Sequence, residues 1–264
     1  MGIINMTPDS FNTDGYFRNP QKALPAALRQ AQKLITQGAD ILDIGGESTR
    51  PGAKKVFAQQ QRARVIPLIR SLAKKIKVPI SIDTYKTDVA KAALDEGVSI
   101  VNNVRGTHID KSFLKMVRSY DAALILMHSR GDSKTMQTKT TYKNLIADII
   151  DELQYSLEIC LEIGIKLDKM IVDPGIGFAK DAQQNLTILK RLSEFTKLNC
   201  PILIGPSRKS FIGQVLGADD PQDRLMGTAA SVCAGIMNGA HIIRVHDVQP
   251  MTEIARMTDA IIKK

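Results

Sequence analysis

The sequence predicts a closed (β/α)8 barrel, and three observations predict it. Short apolar runs rich in β-branched residues alternate with longer amphipathic stretches, the pattern of parallel strands joined by helical crossovers. Eight such runs recur about every 33 residues, room for one strand, one helix and two loops. Polar residues gather just after the runs, where barrels of this class carry their chemistry. The 264 residues also suit one barrel domain spanning 1–264.

The eight expected strands cover residues 2–6, 40–45, 79–83, 99–103, 122–128, 169–173, 201–205 and 241–246. A helix is expected over residues 142–163, where Leu145, Ile149, Leu153, Leu157 and Cys160 form a stripe of helical period. Another is expected over 221–238, with Asp220 as cap and Pro221 in the first turn. Gly38, Gly97, Gly164 and Gly239 each follow a helical stretch and precede a strand, the position where a left-handed residue ends a helix. No Gly-x-Gly-x-x-Gly follows a strand, which argues against a dinucleotide fold.

Composition narrows the function classes. Hydrophobic residues make up 44% and charged residues 24%, which excludes a disordered, collagenous or coiled-coil chain. No apolar run approaches the roughly 18 residues that suggest a membrane span. No secretory signal opens the chain. Cys160, Cys200 and Cys233 lie far apart, so neither a zinc knuckle nor a disulfide framework is indicated, and a cytoplasmic location is expected. The formal charge is +9 from 36 basic and 27 acidic residues, but the charges are scattered rather than striped. That favours an anion site over a nucleic-acid surface, and the absence of Trp argues against stacking on single strands.

The strand ends carry the candidate site residues. Asn5 ends the first strand. Asp43 and the run Gly46-Glu47-Ser48-Thr49-Arg50-Pro51 belong to the second. Asp83, Asn102, His128 and Asp173 close the third to sixth, Ser207-Arg208-Lys209-Ser210 follows the seventh, and Arg244 and His246 lie on the eighth. Residues two apart on a strand share a face, so Arg244 and His246 are expected to point together into the mouth. A guanidinium beside an imidazole suits a diphosphate; an internal ion pair with a rim carboxylate is the alternative. Asp83, Asn102 and Asp173 offer the paired acceptors and donors that read a flat heterocycle, or else cap neighbouring loops. The four histidines make no His-Glu-x-x-His pattern, so a protein-closed zinc site is not expected. Magnesium held by one or two oxygens and by substrate phosphates fits better, with Asn5, Asp9 and Asp14 as candidates; turn chemistry explains the two aspartates equally well. Ser207 and Ser210 lack a nucleophile elbow, and His128 is assigned no catalytic role.

Nine segments, in order, carry a resemblance to a known family: GIINMTPDSF, DIGGESTRPGA, PISIDT, SIVNNVRG, LMHSRG, IVDPGIGFAKD, GPSRKSFIG, GTAASV and HIIRVHDV. The chain resembles the dihydropteroate synthases, folate-pathway enzymes inhibited by sulfonamides, over nearly its whole length. The resemblance implies a (β/α)8 homodimer. It implies condensation of 6-hydroxymethyl-7,8-dihydropterin diphosphate with p-aminobenzoate, giving 7,8-dihydropteroate and pyrophosphate with Mg2+. Asp83, Asn102, Asp173 and Lys209 look like the pterin set, and Asp83, Asp173, Lys209 and Arg244 like the catalytic residues. Asn5, Thr49, Arg244 and His246 look like the diphosphate end, with Asn5 as the metal ligand. Arg50, Pro51, Phe178, Lys209 and Ser210 look like the p-aminobenzoate pocket.

Three features depart from the family pattern. The first loop usually reads Asp-Ser-Phe-Ser-Asp-Gly-Gly, whereas residues 9–15 displace the second acid by one position to Asp14. Asn102-Asn103 replaces the frequent Asn-Asp. The sequence opens almost at the first strand, as expected of a trimmed chain or of the synthase portion of a longer fused folate enzyme. The competing readings are a catalytically silent pterin-binding paralogue, a corrinoid-dependent pterin methyltransferase, and a nucleic-acid-binding module.

Overall fold

The computed structural model describes residues 1–7, 20–48, 52–53 and 55–262. Its elements alternate as expected: β1 (Gly2–Asn5), α1 (Pro20–Thr36), β2 (Leu42–Gly45), α2 (Ala58–Ala73), β3 (Ile80–Asp83), α3 (Thr87–Asp95), β4 (Ile100–Asn103), α4 (Lys111–Ser119) and β5 (Ala123–Met127). Then come α5 (Leu145–Ile163), β6 (Met170–Asp173), α6 (Ala182–Lys190), β7 (Leu203–Ile204), α7 (Ser210–Leu216), α8 (Leu225–Met237), β8 (Ile242–Ile243) and α9 (Val248–Ile262).

Strands β1 to β6 pair in parallel in sequence order, and β7 pairs in parallel with β8. Two isolated bridges join the arcs, Val172 with Ile202 and Gly2 with Val245. The ring is therefore closed, and the fold is the (β/α)8 barrel. Closure removes every exposed sheet edge. The last two strands are shorter than expected. Arg244 and His246 consequently lie beyond β8, where Arg244 N still bonds Ile204 O at 2.9 Å while Val245 N turns to Met1 O at 3.0 Å.

Local chemistry explains the helix ends. The helix expected from residue 142 begins at Leu145, because the Asn144 side chain caps it and the Asp148 carboxylate takes the N–H groups of Lys143 and Asn144. Asp220 caps a 3-10 turn, Pro221–Arg224, that leads into α8, so the expected 221–238 helix is a tight turn followed by an α-helix. Gly38, Gly97, Gly164 and Gly239 all have positive φ, between 92° and 99°. Asp181 and Gln184 form a reciprocal capping box that starts α6 directly after the β6 loop.

The main core lies between strands and helices, with Leu42, Ile44, Ile82, Leu124 and Val172 facing Leu68, Ile69, Phe113, Ile149 and Phe195. A second cluster, Met1, Ile100, Ile125 and Leu203, fills the interior of the barrel. Its neighbours Ile41, Ala123, Ile171 and Ile242 lie at strand starts, so that end of the barrel is apolar and the polar interior sits at the strands' C-terminal ends. Among the described residues no helix is long and apolar enough to cross a membrane.

Candidate active site

A cavity of about 320 Å³ opens at the C-terminal mouth, lined among others by Asn5, Asp83, Phe178, Lys209, Ser210, Arg244 and His246. Seven sequence-predicted residues thus share one space. Register brings in Asn102, which pairs with Asp83 across β3 and β4. Asp173 ends β6 beside them, with Lys209 and Arg244 among the charges acting on it. Thr49, Arg50 and Pro51, together with Asp9 and Asp14, lie outside the described residues.

Arg244 organises the floor. Its Nε donates to Asp43 Oδ2 at 2.6 Å and its Nη2 to Asp83 Oδ2 at 2.8 Å. Asn102 Nδ2 donates to the same Asp43 oxygen at 3.2 Å. The internal ion pair, an alternative to a diphosphate role in the sequence, is therefore present, and the same guanidinium also faces the cavity. Asp43 carries no exposure, and its Oδ1 has no hydrogen-bond partner. The sequence places Asp43 among the candidate residues of the second strand; its pairing with Arg244 is the part that was not legible. Burial pushes the Asp83 carboxyl up to about 7, against the pull of Arg244.

The loop after β6 carries the opposite wall. Gly175 and Gly177 have φ of 72° and 81°, and Ala179 has 52°, so left-handed residues alternate along it. The turn folds Gly175 N onto Asp173 Oδ1 at 2.7 Å, and Asn185 Oδ1 takes Gly177 N at 2.6 Å. A side chain at Gly177 would strike the Lys209 stem, which is why this position excludes a Cβ. Lys209 donates to Ile176 O and sits 4.2 Å from the Phe178 ring centroid. Burial pulls its ammonium down to about 7, while Asp173 holds it up. Burial likewise raises Asp173, opposed by Lys209.

Behind this wall lies a buried network missed in the sequence. Lys180 donates to Phe178 O at 2.8 Å and lies 3.0 Å from His128 Nδ1, while His128 Nε2 lies 3.1 Å from Glu152 Oε2. Burial, then Lys180, lower the imidazole to about 4. His128 is thus a neutral link between β5 and α5, consistent with no catalytic role. Its neighbour Arg130 pairs with Glu152 and stacks 4.0 Å over Tyr142.

Also at the mouth is His246, whose Nδ1 shares a hydrogen bond with Ser207 Oγ at 3.0 Å. Ser210 opens α7. The described ends of the second loop are anchored. Gly52 N donates to Ser133 O at 2.8 Å, Lys55 pairs with Asp132 at 3.1 Å, and Glu47 accepts from Val56 N and Gln61 Nε2. The bonds of Gly52 and Lys55 tie those residues to the neighbouring β5 loop.

Comparison with known proteins agrees with this geometry. The description of the pterin binding enzyme family matches residues 1–246. A dihydropteroate synthase of Synechocystis is 44% identical over 99% of this chain and 89% of its own length. A crystal structure of the dihydropteroate synthase of Clostridium difficile in the presence of pteroic acid is 45% identical, covers 100% of this chain and 96% of its own, and has a TM-score of 0.92. The Yersinia pestis dihydropteroate synthase with a sulfonamide drug is 39% identical, covers 99% and 93%, and also has a TM-score of 0.92. The chain belongs to the pterin-binding enzyme family.

Proposed function

We propose that the chain acts as a dihydropteroate synthase, condensing 6-hydroxymethyl-7,8-dihydropterin diphosphate with p-aminobenzoate. The observation that carries this is one cavity lined together by Asp83, Arg244, His246, Lys209, Phe178 and Ser210. Asp83, Asn102 and Asp173 hold the pterin edge, because carboxylates accept an N–H and an exocyclic amine together. Arg244, His246 and Asn5 hold the diphosphate. Thr49 joins them from the second loop, whose Arg50 and Pro51 close over p-aminobenzoate beside Phe178 and Ser210.

The chain's groups then stabilise charge rather than form bonds. The pterin supports positive charge at its methylene carbon as the C–O bond to diphosphate breaks. Asp83 and Asp173 face that charge, and Arg244 faces the departing anion. The p-aminobenzoate nitrogen attacks the carbon and releases a proton, giving 7,8-dihydropteroate and pyrophosphate. Lys209 and Phe178 orient the ring, and closure of the loops excludes water.

The residues present fit magnesium. A Cβ built at Gly45 would stand 3.7 Å from Asn5 Oδ1 and 3.6 Å from Asp83 Oδ2, so a neutral oxygen and a carboxylate border one spot at the mouth. A magnesium ion keeps much of its water and takes substrate phosphates, so one or two protein oxygens suffice to hold it. Asn5 is the assigned ligand. When bound, the ion neutralises part of the diphosphate charge.

The test is pyrophosphate release from purified protein with magnesium and the pterin diphosphate. Release that requires p-aminobenzoate and yields dihydropteroate is expected. Binding of the pterin without release favours the silent paralogue, for which the displaced first-loop acid Asp14 is the motive.

The molecule also works as a homodimer in the cytoplasm. Supporting the first, Val215, Leu216 and Met226 stand exposed together on α7 and the start of α8, apolar surface that a second copy covers. Supporting the second, Cys160, Cys200 and Cys233 are free thiols. Sedimentation is expected to give twice the 29.0 kDa chain mass, and Met226→Asp to give monomers.

A further inference from the structure

Arg208 has φ of 58°, left-handed backbone without the glycine that such a position favours. It sits between Ser207, which meets His246, and Lys209, which meets Ile176 O and Phe178. The left-handed turn reverses the chain between them. Ser207, Arg208, Lys209 and Ser210 all line the mouth within four residues.

The N–H, carbonyl, Nε and Nη2 of Arg208 are all held from outside its own loop. Its N–H donates to Thr228 Oγ1 at 3.0 Å, on α8. Its carbonyl accepts from Arg224 Nη1 at 3.1 Å. Its guanidinium forks onto Asp247, with Nε to Oδ2 at 2.8 Å and Nη2 to Oδ1 at 2.6 Å. Thr228 is fully buried, and Arg224 is itself fixed by the carbonyls of Ala218 and Asp219. Asp247 immediately follows His246, so the fork also ties the β7 loop to the residue that meets Ser207.

We propose that Arg208 and Asp247 are positioning residues that hold the strained turn after β7 and thereby set Lys209 and Ser210 against p-aminobenzoate and His246 against the diphosphate. A bidentate Arg–carboxylate pair fixes direction as well as distance, which a lysine does not reproduce. The proposal rests on the synthase reading and deepens it.

The test compares Arg208→Ala, Asp247→Ala, the double variant and Arg208→Gly, assayed well below their melting temperatures. Each single alanine variant is expected to raise KM for p-aminobenzoate about tenfold, with the double variant within about twofold of the worse single. The dissociation constant of the pterin lacking its diphosphate is expected to rise by a smaller factor than the KM for p-aminobenzoate, because rigid strands carry Asp83, Asn102 and Asp173 and only Lys209 of the pterin set rides on the turn. Arg208→Gly, which relieves the backbone but removes the fork, is expected to behave like Arg208→Ala. Amide exchange across residues 207–210 is expected to quicken about tenfold in Asp247→Ala. Wild-type KM in Arg208→Gly, additive losses in the double variant, or lowered melting with unchanged KM and unchanged exchange would each overturn the proposal. A wild-type protein that released no pyrophosphate would sink the synthase reading instead, and exchange across 207–210 would still decide whether the fork holds the turn.

Discussion

Truncating Arg244 to alanine is expected to cost the protein about 3–5 kcal/mol of stability and to strip the diphosphate of its main anchor. The stability loss follows from what the guanidinium leaves behind. Asp43 is fully buried and the Asp83 side chain is only 5% exposed, and Arg244 neutralises both at 2.6 and 2.8 Å. Without it, two carboxyls share a dry interior, and at least one must take up a proton. That acid then has a folded pKa above its unfolded value. The folded state therefore binds more protons, and the deficit grows as pH rises through that raised pKa. Urea midpoints at about pH 6 and about pH 8 read this directly, and a deficit independent of pH would contradict the ion-pair account. The binding loss is separable. Affinity for the pterin diphosphate is expected to fall at least about tenfold more than affinity for the pterin alcohol. Equal losses would leave Arg244 as a strut and remove its phosphate role.

Asp173→Asn is expected to weaken pterin binding about a hundredfold or more. The carboxylate ends β6 almost fully buried, with one oxygen spent on Gly175 N at 2.7 Å. The other oxygen must accept from the ring. An amide in its place brings an N–H2 to face either Gly175 N–H or the ring's own donors, so a buried donor is left without an acceptor. The substitution also removes the anion that holds up the ammonium groups of Lys209 and Lys180. Calorimetry with the dihydropterin checks this, and affinity within about tenfold of wild type would exclude Asp173 from the pterin edge.

Much of this architecture is legible in the chain because its signals are local. A strand such as 169–173 announces itself through an apolar run ending in a polar residue, and Gly164 and Asp220 mark helix ends by conformational preference alone. The site residues were readable for the same reason: in a parallel barrel every strand end faces one mouth, so Asp83, Asn102 and Asp173 converge whatever the details of packing. What stayed hidden depends on pairs far apart in sequence. Arg244 and Asp43 are separated by 201 positions, and nothing near either one indicates that they meet. Lys180 reads as a surface lysine before α6, yet it is 2% exposed beneath the Phe178 loop. Arg208 reads as one more basic residue in a basic run; only the backbone shows that it occupies a conformation expected of glycine. The shortness of β7 and β8 was equally unreadable, since the apolar run continues while the ladder partner changes.

The join between β6 and β7 is one of two in the ring that rest on a single bridge, here from Val172 to Ile202. The two walls of the cavity belong to opposite sides of it, Asp173 and Phe178 before and Lys209 and Ser210 after. Lys209 crosses the join to reach Ile176 O, so one side chain fastens what the sheet leaves loose. On the synthase reading, pterin and p-aminobenzoate lie against both walls. In the language of local unfolding, a fluctuation that parts β7 from β6 opens the mouth, and a ligand that binds only the closed mouth opposes it. Catalytic assembly and cohesion of the ring are then one equilibrium, with substrate acting as the missing rungs of the ladder.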